Sequence, residues 1–319
     1  LFVSEACEYN SSFLRFFSTT AAILNIDLDH VDCFPTIDDV INVFTDFAAT
    51  VPKDGFIVIP SFDLNVVKMV EKLNQNKAVK NDGILPEIIT FGYESDLFYG
   101  SPPVFSIRNY YLRQGYPSFD VFSHGNYFCH IDMVIPGEYN AMNAVAAIAC
   151  AALNGADARS CEKVLSTFHG ADNRFTVKGK YKGANVISDY AHHPSAISAA
   201  YNAAVNITKG KVLVVFQPIT FARAKGLFEE FVKSLSLCPD SIILEVYTSR
   251  ENSGNGFSSA LICDKINEYG GKSHFAKNFG ELETLIDRLI SEGDTILFMG
   301  PEMLKDFADE LVKKHNPVR

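Results

Sequence analysis

Residues 184–194, Ala184-Asn185-Val186-Ile187-Ser188-Asp189-Tyr190-Ala191-His192-His193-Pro194, decide the fold. The first six make a short, mostly apolar run of the kind buried inside a parallel sheet. Pro194 suits the first position of a helix, where its missing N–H is no loss. A strand that runs straight into a helix is the building unit of a parallel α/β sheet. The same rhythm continues downstream. Strands are expected over 212–216, 242–246 and 295–299, and helices over 194–205, 222–236, 258–268, 280–291 and 302–314. Residues 173–319 therefore read as a doubly wound, Rossmann-like domain.

Upstream, strands are expected over 2–5, 21–26, 55–60 and 88–91. Between them, 37–51 carries apolar residues at helical spacing with acids in its first turn, and 63–73 repeats the pattern with Asp63 as N-cap. Residues 104–136 are rich in Tyr and Phe, and His124-Gly125-Asn126 suits a hairpin turn, so a small antiparallel flap on the sheet is expected there. Helices follow over 140–153 and 158–167, and the turn 168–172 marks a domain boundary. Residues 1–172 thus read as a central, parallel-sheet domain. Leu1-Phe2-Val3 already reads as a core strand, so more chain is expected before it.

The 319 residues suit about two domains. Apolar residues make up 47% and charged residues 21%, an ordinary globular balance. The net charge of −10 argues against a protein that coats nucleic acid or an anionic membrane, while leaving room for a locally basic pocket. The longest apolar run, 144–153, is too short to span a bilayer. The cysteines number seven, an odd count, with no CxxC pair. Free thiols in a reducing cytoplasm are expected, and no zinc site.

Chemistry-bearing residues gather at expected strand ends, where ligands of open α/β sheets bind. Asp189, Tyr190, His192 and His193 follow one strand, as a site or as a strand-to-helix turn with solvated histidines; Arg223 follows another, as a planar fork suited to carboxylate or phosphate or as a surface arginine. Met299-Gly300-Pro301 closes a third, its Gly permitting close backbone approach. Near the start, Glu5, Glu8, Asn25, Asp27, Asp29, His30 and Asp32 crowd the expected ends of the first two strands, carboxylates beside one imidazole that read either as a donor set for Mg²⁺ with its phosphate ligands or as two solvated loops. Asn140 and Asn143 lie one helical turn apart, placed to read a nucleobase edge or to cap and fill the helix.

Taken in order, the segments SEACEYNSSFL (4–14), LNIDLDHVD (24–32), GEYNAMNAVAA (137–147), NRF (173–175), DYAHHP (189–194), FQPITFAR (216–223), YTSRE (247–251) and GDTILFMG (293–300) resemble the central and C-terminal domains of the Mur ligases. The branch they resemble joins L-alanine to UDP-N-acetylmuramate in peptidoglycan precursor synthesis. The resemblance implies that ATP phosphorylates a substrate carboxylate, an amine attacks the acyl phosphate, and an amide and phosphate result. It implies that the parallel-sheet domain over 1–172 is ATPase-like, with ATP and Mg²⁺ as cofactors, and a UDP-sugar acid and an amino acid as substrates. Glu5 and His30 match metal or phosphate ligands. Asn140 matches the adenine contact, Arg174 a nucleotide contact, and Asp189 the acid that approaches ribose and phosphates. Tyr190, His193 and Arg223 match positions around the amino acid. Catalytic roles fall by this likeness on His30, Asp189, His193 and Arg223.

The likeness has gaps. No G-x-x-x-x-G-K-[ST] phosphate loop occurs in the chain. In the family that loop precedes the segment matched by Glu5, as does a UDP-sugar-binding domain, so this chain is expected to start after both and to be inactive by itself. The usual R-R-F reads Asn173-Arg174-Phe175, the usual Asp before Asp189 is Ser188, and the usual acid two residues past Pro194 is Ala196. The usual F-Q-P-H reads Phe216-Gln217-Pro218-Ile219, followed by Phe221-Ala222 in place of Tyr-Ser, and Tyr139 stands where His is usual. These departures keep two alternatives open: a ligase that attaches a recycled peptide, and a non-catalytic homologue that binds nucleotide or sugar.

Overall fold

The computed structural model describes residues 1–80, 85–248 and 256–315. The chain divides into two compact units: Leu1–Arg113, Pro117–Val134 and Tyr139–Phe168 form one, and Gln114–Tyr116, Ile135–Glu138 and His169–Arg319 form the other. Among the described residues, the strands make two six-stranded sheets, one per unit.

In the first unit the strands lie in chain order: β1 (Thr20–Ala22), β2 (Phe56–Pro60), β3 (Glu87–Tyr93), β4 (Phe105–Arg113), β5 (Tyr116–Ser123) and β6 (Asn126–Asp132). β1 to β4 run parallel and β5–β6 antiparallel. The expected flap is therefore the far half of the same sheet. Its turn is His124–Gly125, at φ 49° and 77°, the two positive values that match hairpin twist.

Helix α1 (Ile37–Ala49) starts at a capping box: Thr36 Oγ1 accepts from the Asp39 amide, and the Asp39 carboxylate accepts from the Thr36 amide. Helix α2 (Leu64–Lys80) has Asp63 as expected at its N-terminus, with Oδ1 accepting from the Asn65 and Val66 amides. α1, α2 and the buried residues of β1 and β2 enclose a core that includes Ile41, Phe47, Ile57, Ile59, Met69 and Leu73. Helix α3 (Glu138–Leu153) leads to α4 (Ala158–Leu165), which covers edge strand β6: the His130 amide donates to Glu162 Oε1 at 3.0 Å.

The expected strand over 2–5 is absent. Leu1, Phe2 and Val3 are 96%, 88% and 83% exposed, and none lies in a strand. Apolar residues form a strand only where a neighbouring strand accepts their backbone, and the ladder here begins at Thr20. A kinked 3₁₀ segment, Tyr9–Arg15, follows instead, and buries Phe13 face to face with Phe47 at 4.5 Å.

In the second unit the sheet order is β11-β10-β9-β12-β8-β7. Its members are β7 (Thr176–Tyr181), β8 (Ala184–Asp189), β9 (Val212–Phe216), β10 (Asp240–Leu244), β11 (Ser273–Ala276) and β12 (Thr295–Met299). All pair parallel except β7, which meets β8 antiparallel. The helices are α5 (Pro194–Ile207), α6 (Phe221–Gly226), α7 (Phe228–Leu235), α8 (Ala260–Glu268), α9 (Phe279–Leu289) and α10 (Glu302–His315). This is the doubly wound α/β arrangement. The single helix expected over 222–236 is broken at Leu227, φ −116°, just after Gly226, the poorest helix former in the stretch.

Candidate functional site

The C-terminal ends of the three central strands of the second unit meet at one place. Gly300 donates its amide to the Asp189 carbonyl at 3.1 Å, and Gln217 donates its amide to the Met299 carbonyl at 3.0 Å. Gly300 sits at φ 144°, where a Cβ would come within 2.7 Å of the Gln217 carbonyl oxygen. Only glycine lets β8, β9 and β12 close this tightly.

At the end of β8, the buried Asp189 carboxylate is clasped by backbone. Its Oδ2 accepts from the Phe175 amide at 2.7 Å and its Oδ1 from the Ala191 amide at 2.6 Å. Burial raises its pKa, and those two amides and Arg174 pull the other way. The arch 173–175 is held there, with Asn173 and Phe175 both at positive φ. The exposed Arg174 guanidinium lies 5.1 Å from the centre of the Tyr190 ring. His193 then caps α5: its Nδ1 accepts from the Ser195 amide at 3.4 Å and lies 2.7 Å from Ser195 Oγ, with Pro194 in the first turn. An accepting Nδ1 places the ring proton of a neutral His193 on Nε2.

After β9 the chain turns sharply. Thr220 stands at φ 65°, ψ 140°, a region a β-branched residue rarely enters, and caps α6 through Oγ1, which accepts from the Arg223 amide at 3.4 Å. Its amide donates to the Tyr247 carbonyl at 2.9 Å, and Ile219 bridges Tyr247 alongside. Arg223 is 8% exposed, so it is an interior residue of this unit and no surface arginine. Gln217, at the start of the same turn, is also buried, its Nε2 donating to the Glu245 carbonyl at 3.0 Å.

In the first unit, His30 occupies the left-handed region at φ 51°. Its Nε2 lies 3.2 Å from Glu8 Oε1 and 4.0 Å from Asp29 Oδ2, and its ring meets Tyr9 at 5.0 Å. The hydrogen bond from His30 holds the Glu8 carboxyl below its ordinary value. The loop is pinned from below: the Ile26 amide donates to Asp63 Oδ2 and Asn65 Nδ2 donates to the Ile26 carbonyl.

Two family profiles match this chain. The Mur ligase middle domain matches residues 1–151, and the Mur ligase glutamate ligase domain matches residues 173–301. The chain belongs to the Mur ligase family. A curated relative, the UDP-N-acetylmuramate–L-alanine ligase of Caldicellulosiruptor bescii, is 36% identical over 313 residues, which is 98% of this chain and 65% of that protein. The UDP-N-acetylmuramate-alanine ligase structure from Thermotoga maritima has a TM-score of 0.70 at 21% identity, covering 96% of this chain and 61% of that one. The Thermotoga maritima MurF ligase in complex with ADP has a TM-score of 0.67 at 15% identity, covering 93% and 62%. The chain thus spans less than two thirds of these relatives.

Within this Mur ligase chain, the residues singled out above divide between the two units. Arg174, Asp189, Tyr190 and His193 come together on β8 and its flanking arch, with Arg223 after β9. Glu5, His30 and Asn140 belong to the first unit. Glu5 is exposed, and the carboxylate against His30 is Glu8, three residues later. Among the described residues, no group of three His, Cys, Asp or Glu side chains is disposed to hold a metal ion. A Mg²⁺ ion that rides on nucleotide phosphates keeps several waters and takes only one or two protein carboxylates, a demand that the exposed Glu5 and the Glu8 carboxylate against His30 fit. Asn140 is half-buried in the first turn of α3 and Asn143 is exposed. Asn140 lies inside the helix, which rules out the N-cap alternative for it. Of the YTSRE segment, Ser249, Arg250 and Glu251 lie outside the described residues. The seven cysteines are free, with Cys129, Cys161, Cys238 and Cys263 buried. No helix among the described residues is long and apolar enough to cross a membrane.

Sequence reasoning placed Glu8 in the cluster around His30 without singling it out as the partner, and missed Thr220 as the corner that sets Arg223. A signal existed for the first, since Glu8 belongs to the same acid cluster. None existed for the second, because threonine does not advertise a positive φ.

Proposed function

We propose that the protein is an ATP-dependent ligase that joins UDP-N-acetylmuramate to L-alanine in peptidoglycan precursor synthesis, in the cytoplasm. The observation that carries the reading is the β8 strand end, where the DYAHHP segment, the arch 173–175 and Arg174 form one hydrogen-bonded assembly in a chain collinear with such ligases. In the reaction, a substrate carboxylate oxygen attacks the γ-phosphorus of ATP and ADP leaves. The amine then attacks the acyl carbon, and the tetrahedral intermediate expels phosphate as the nitrogen gives up a proton. Mg²⁺, when bound, would neutralise phosphoryl charge.

Roles follow for this chain's own residues. Arg174, with its guanidinium over Tyr190, offers a cation to a nucleotide phosphate. Asp189 acts through the backbone, by holding the Phe175 and Ala191 amides. Arg223 offers a planar fork to the α-carboxylate of the amino acid, and His193 presents its Nε2 side toward the amine. His30 and Glu8 form the polar lining at the phosphate-proximal loop, and Asn140 contacts adenine. The 319 residues by themselves are inert, because no loop in them supplies the backbone amides and lysine that cradle β- and γ-phosphates.

A second reading rests on Ile219. An apolar, half-buried residue at that corner suits a larger amine, such as the N-terminus of a peptide. Turnover with L-alanine, and with an L-alanyl-γ-D-glutamyl peptide, separates the two. A protein as encoded that releases no phosphate with either would retire both in favour of a non-catalytic homologue.

A further inference from the structure

The arch that carries Arg174 is fastened to β8 by a bond between two neutral side chains. The buried Ser188 Oγ donates to Asn173 Oδ1 at 2.6 Å. Asn173 returns the contact through its backbone, accepting from the Tyr190 amide at 2.8 Å. One residue further on, the Phe175 amide closes on Asp189 Oδ2 at 2.7 Å. Arg174 sits between these anchors, and its guanidinium reaches the ring of Tyr190, the residue whose amide Asn173 holds. Asn173 and Phe175 both lie at positive φ, at 55° and 49°. Two non-glycine residues there make an arch that the backbone alone disfavours, so its shape depends on the bonds that pin it.

We infer that Ser188 and Asn173 are positioning residues for nucleotide binding, setting the Arg174 guanidinium over Tyr190 through their side-chain hydrogen bond. This rests on the ligase reading above and deepens it at the nucleotide side. Ser188 points its hydroxyl into the arch from the strand interior. Without that hydroxyl, Asn173 keeps only its backbone contact, and the arch gains freedom about φ and ψ of residues 173 and 174. The arginine then loses orientation before the unit loses its fold, because the Asp189 clasp remains.

The test is steady-state kinetics on the protein as encoded, with Ser188→Ala, Ser188→Thr and Asn173→Ala. It is run beside thermal melting and amide hydrogen exchange at Phe175 and Tyr190. One neutral hydrogen bond corresponds to about five-fold in affinity. Ser188→Ala and Asn173→Ala should each raise KM for ATP by about that factor, with KM for the amine unchanged. Tyr190 amide exchange should quicken in both, and Ser188→Thr, which keeps the hydroxyl, should restore the wild-type ATP KM. An ATP KM that stays at the wild-type value in Ser188→Ala overturns the inference. So does a loss shared equally by ATP and amine together with a lower melting temperature, which would mark a structural role only. Wild-type protein inert with ATP and every amine overturns the ligase reading itself, and this inference with it.

Discussion

Thr220 offers the sharpest test of how the second unit trades stability for a placed arginine. A β-branched residue at φ 65°, ψ 140° lies in backbone territory that is nearly glycine's alone. Such strain costs about 1–3 kcal/mol. Replacing Thr220 with Gly removes it. Two losses offset part of the gain: the cap to the Arg223 amide, long at 3.4 Å, changes by a few tenths of a kcal/mol when Gly replaces Thr, and glycine adds about 0.4–1 kcal/mol of unfolded-chain freedom. The net expectation is a gain of about 1 kcal/mol. Thr220→Ala keeps the strain and loses the cap, so it should lose about 1 kcal/mol. For a unit of this size the two variants should melt on opposite sides of wild type, each by about 2–4 °C. Scanning calorimetry on wild type, Thr220→Gly and Thr220→Ala reads this directly. The same Thr220→Gly variant should raise KM for the amine, since the corner that aims Arg223 is loosened. If Thr220→Gly melts below Thr220→Ala, the corner is unstrained and the reasoning fails.

Arg223→Ala should raise the amine KM by more than ten-fold while leaving the ATP KM alone; an unchanged amine KM would remove Arg223 from the substrate. His30→Ala should cut turnover far more than it lowers the melting temperature, because the ring meets the Glu8, Asp29 and Tyr9 side chains of one loop cluster. A variant with wild-type turnover would take His30 out of the site. In the first unit, His130 Nδ1 lies 2.7 Å from Asp120 Oδ1. That hydrogen bond raises its pKa, with Asp132 adding to the effect on one side and Arg113 and Glu162 lying on the flanking elements. The folded chain therefore holds this proton to higher pH than the unfolded chain. The resulting stability is complete below the ordinary histidine value of 6.5 and is lost as pH rises through the raised folded pKa. The side chain is well exposed, so the change is under about 1 kcal/mol. Urea midpoints across pH should show this slope in wild type and lose it in Asp120→Asn.

The strands that position the site were legible because they are fully buried and bounded by turns. β8, β9 and β12 run as expected, over Ala184–Asp189, Val212–Phe216 and Thr295–Met299. The edge strands β7 and β11 were not. Thr176–Tyr181 carries Lys178, Gly179 and Lys180, and Ser273–Ala276 is only four residues long, so neither shows a clean apolar pattern. The strand expected over 2–5 shows the reverse error, since composition alone favours a strand that no neighbour completes. The DYAHHP segment stood out by its residue types. The Ser188–Asn173 bond did not, because its partners are fifteen residues apart and meet only when β7 folds back on β8. Gly300 was legible as a close approach, though the structure alone shows that the Gln217 carbonyl is what it approaches.

The most direct measurement is phosphate release by the protein as encoded, mixed with ATP, Mg²⁺, UDP-N-acetylmuramate and L-alanine, with each component left out in turn. The account predicts phosphate only when all are present, one for each amide formed, and none from residues 1–319 alone. Phosphate that appears without the sugar acid, or no phosphate with any amine, would contradict it.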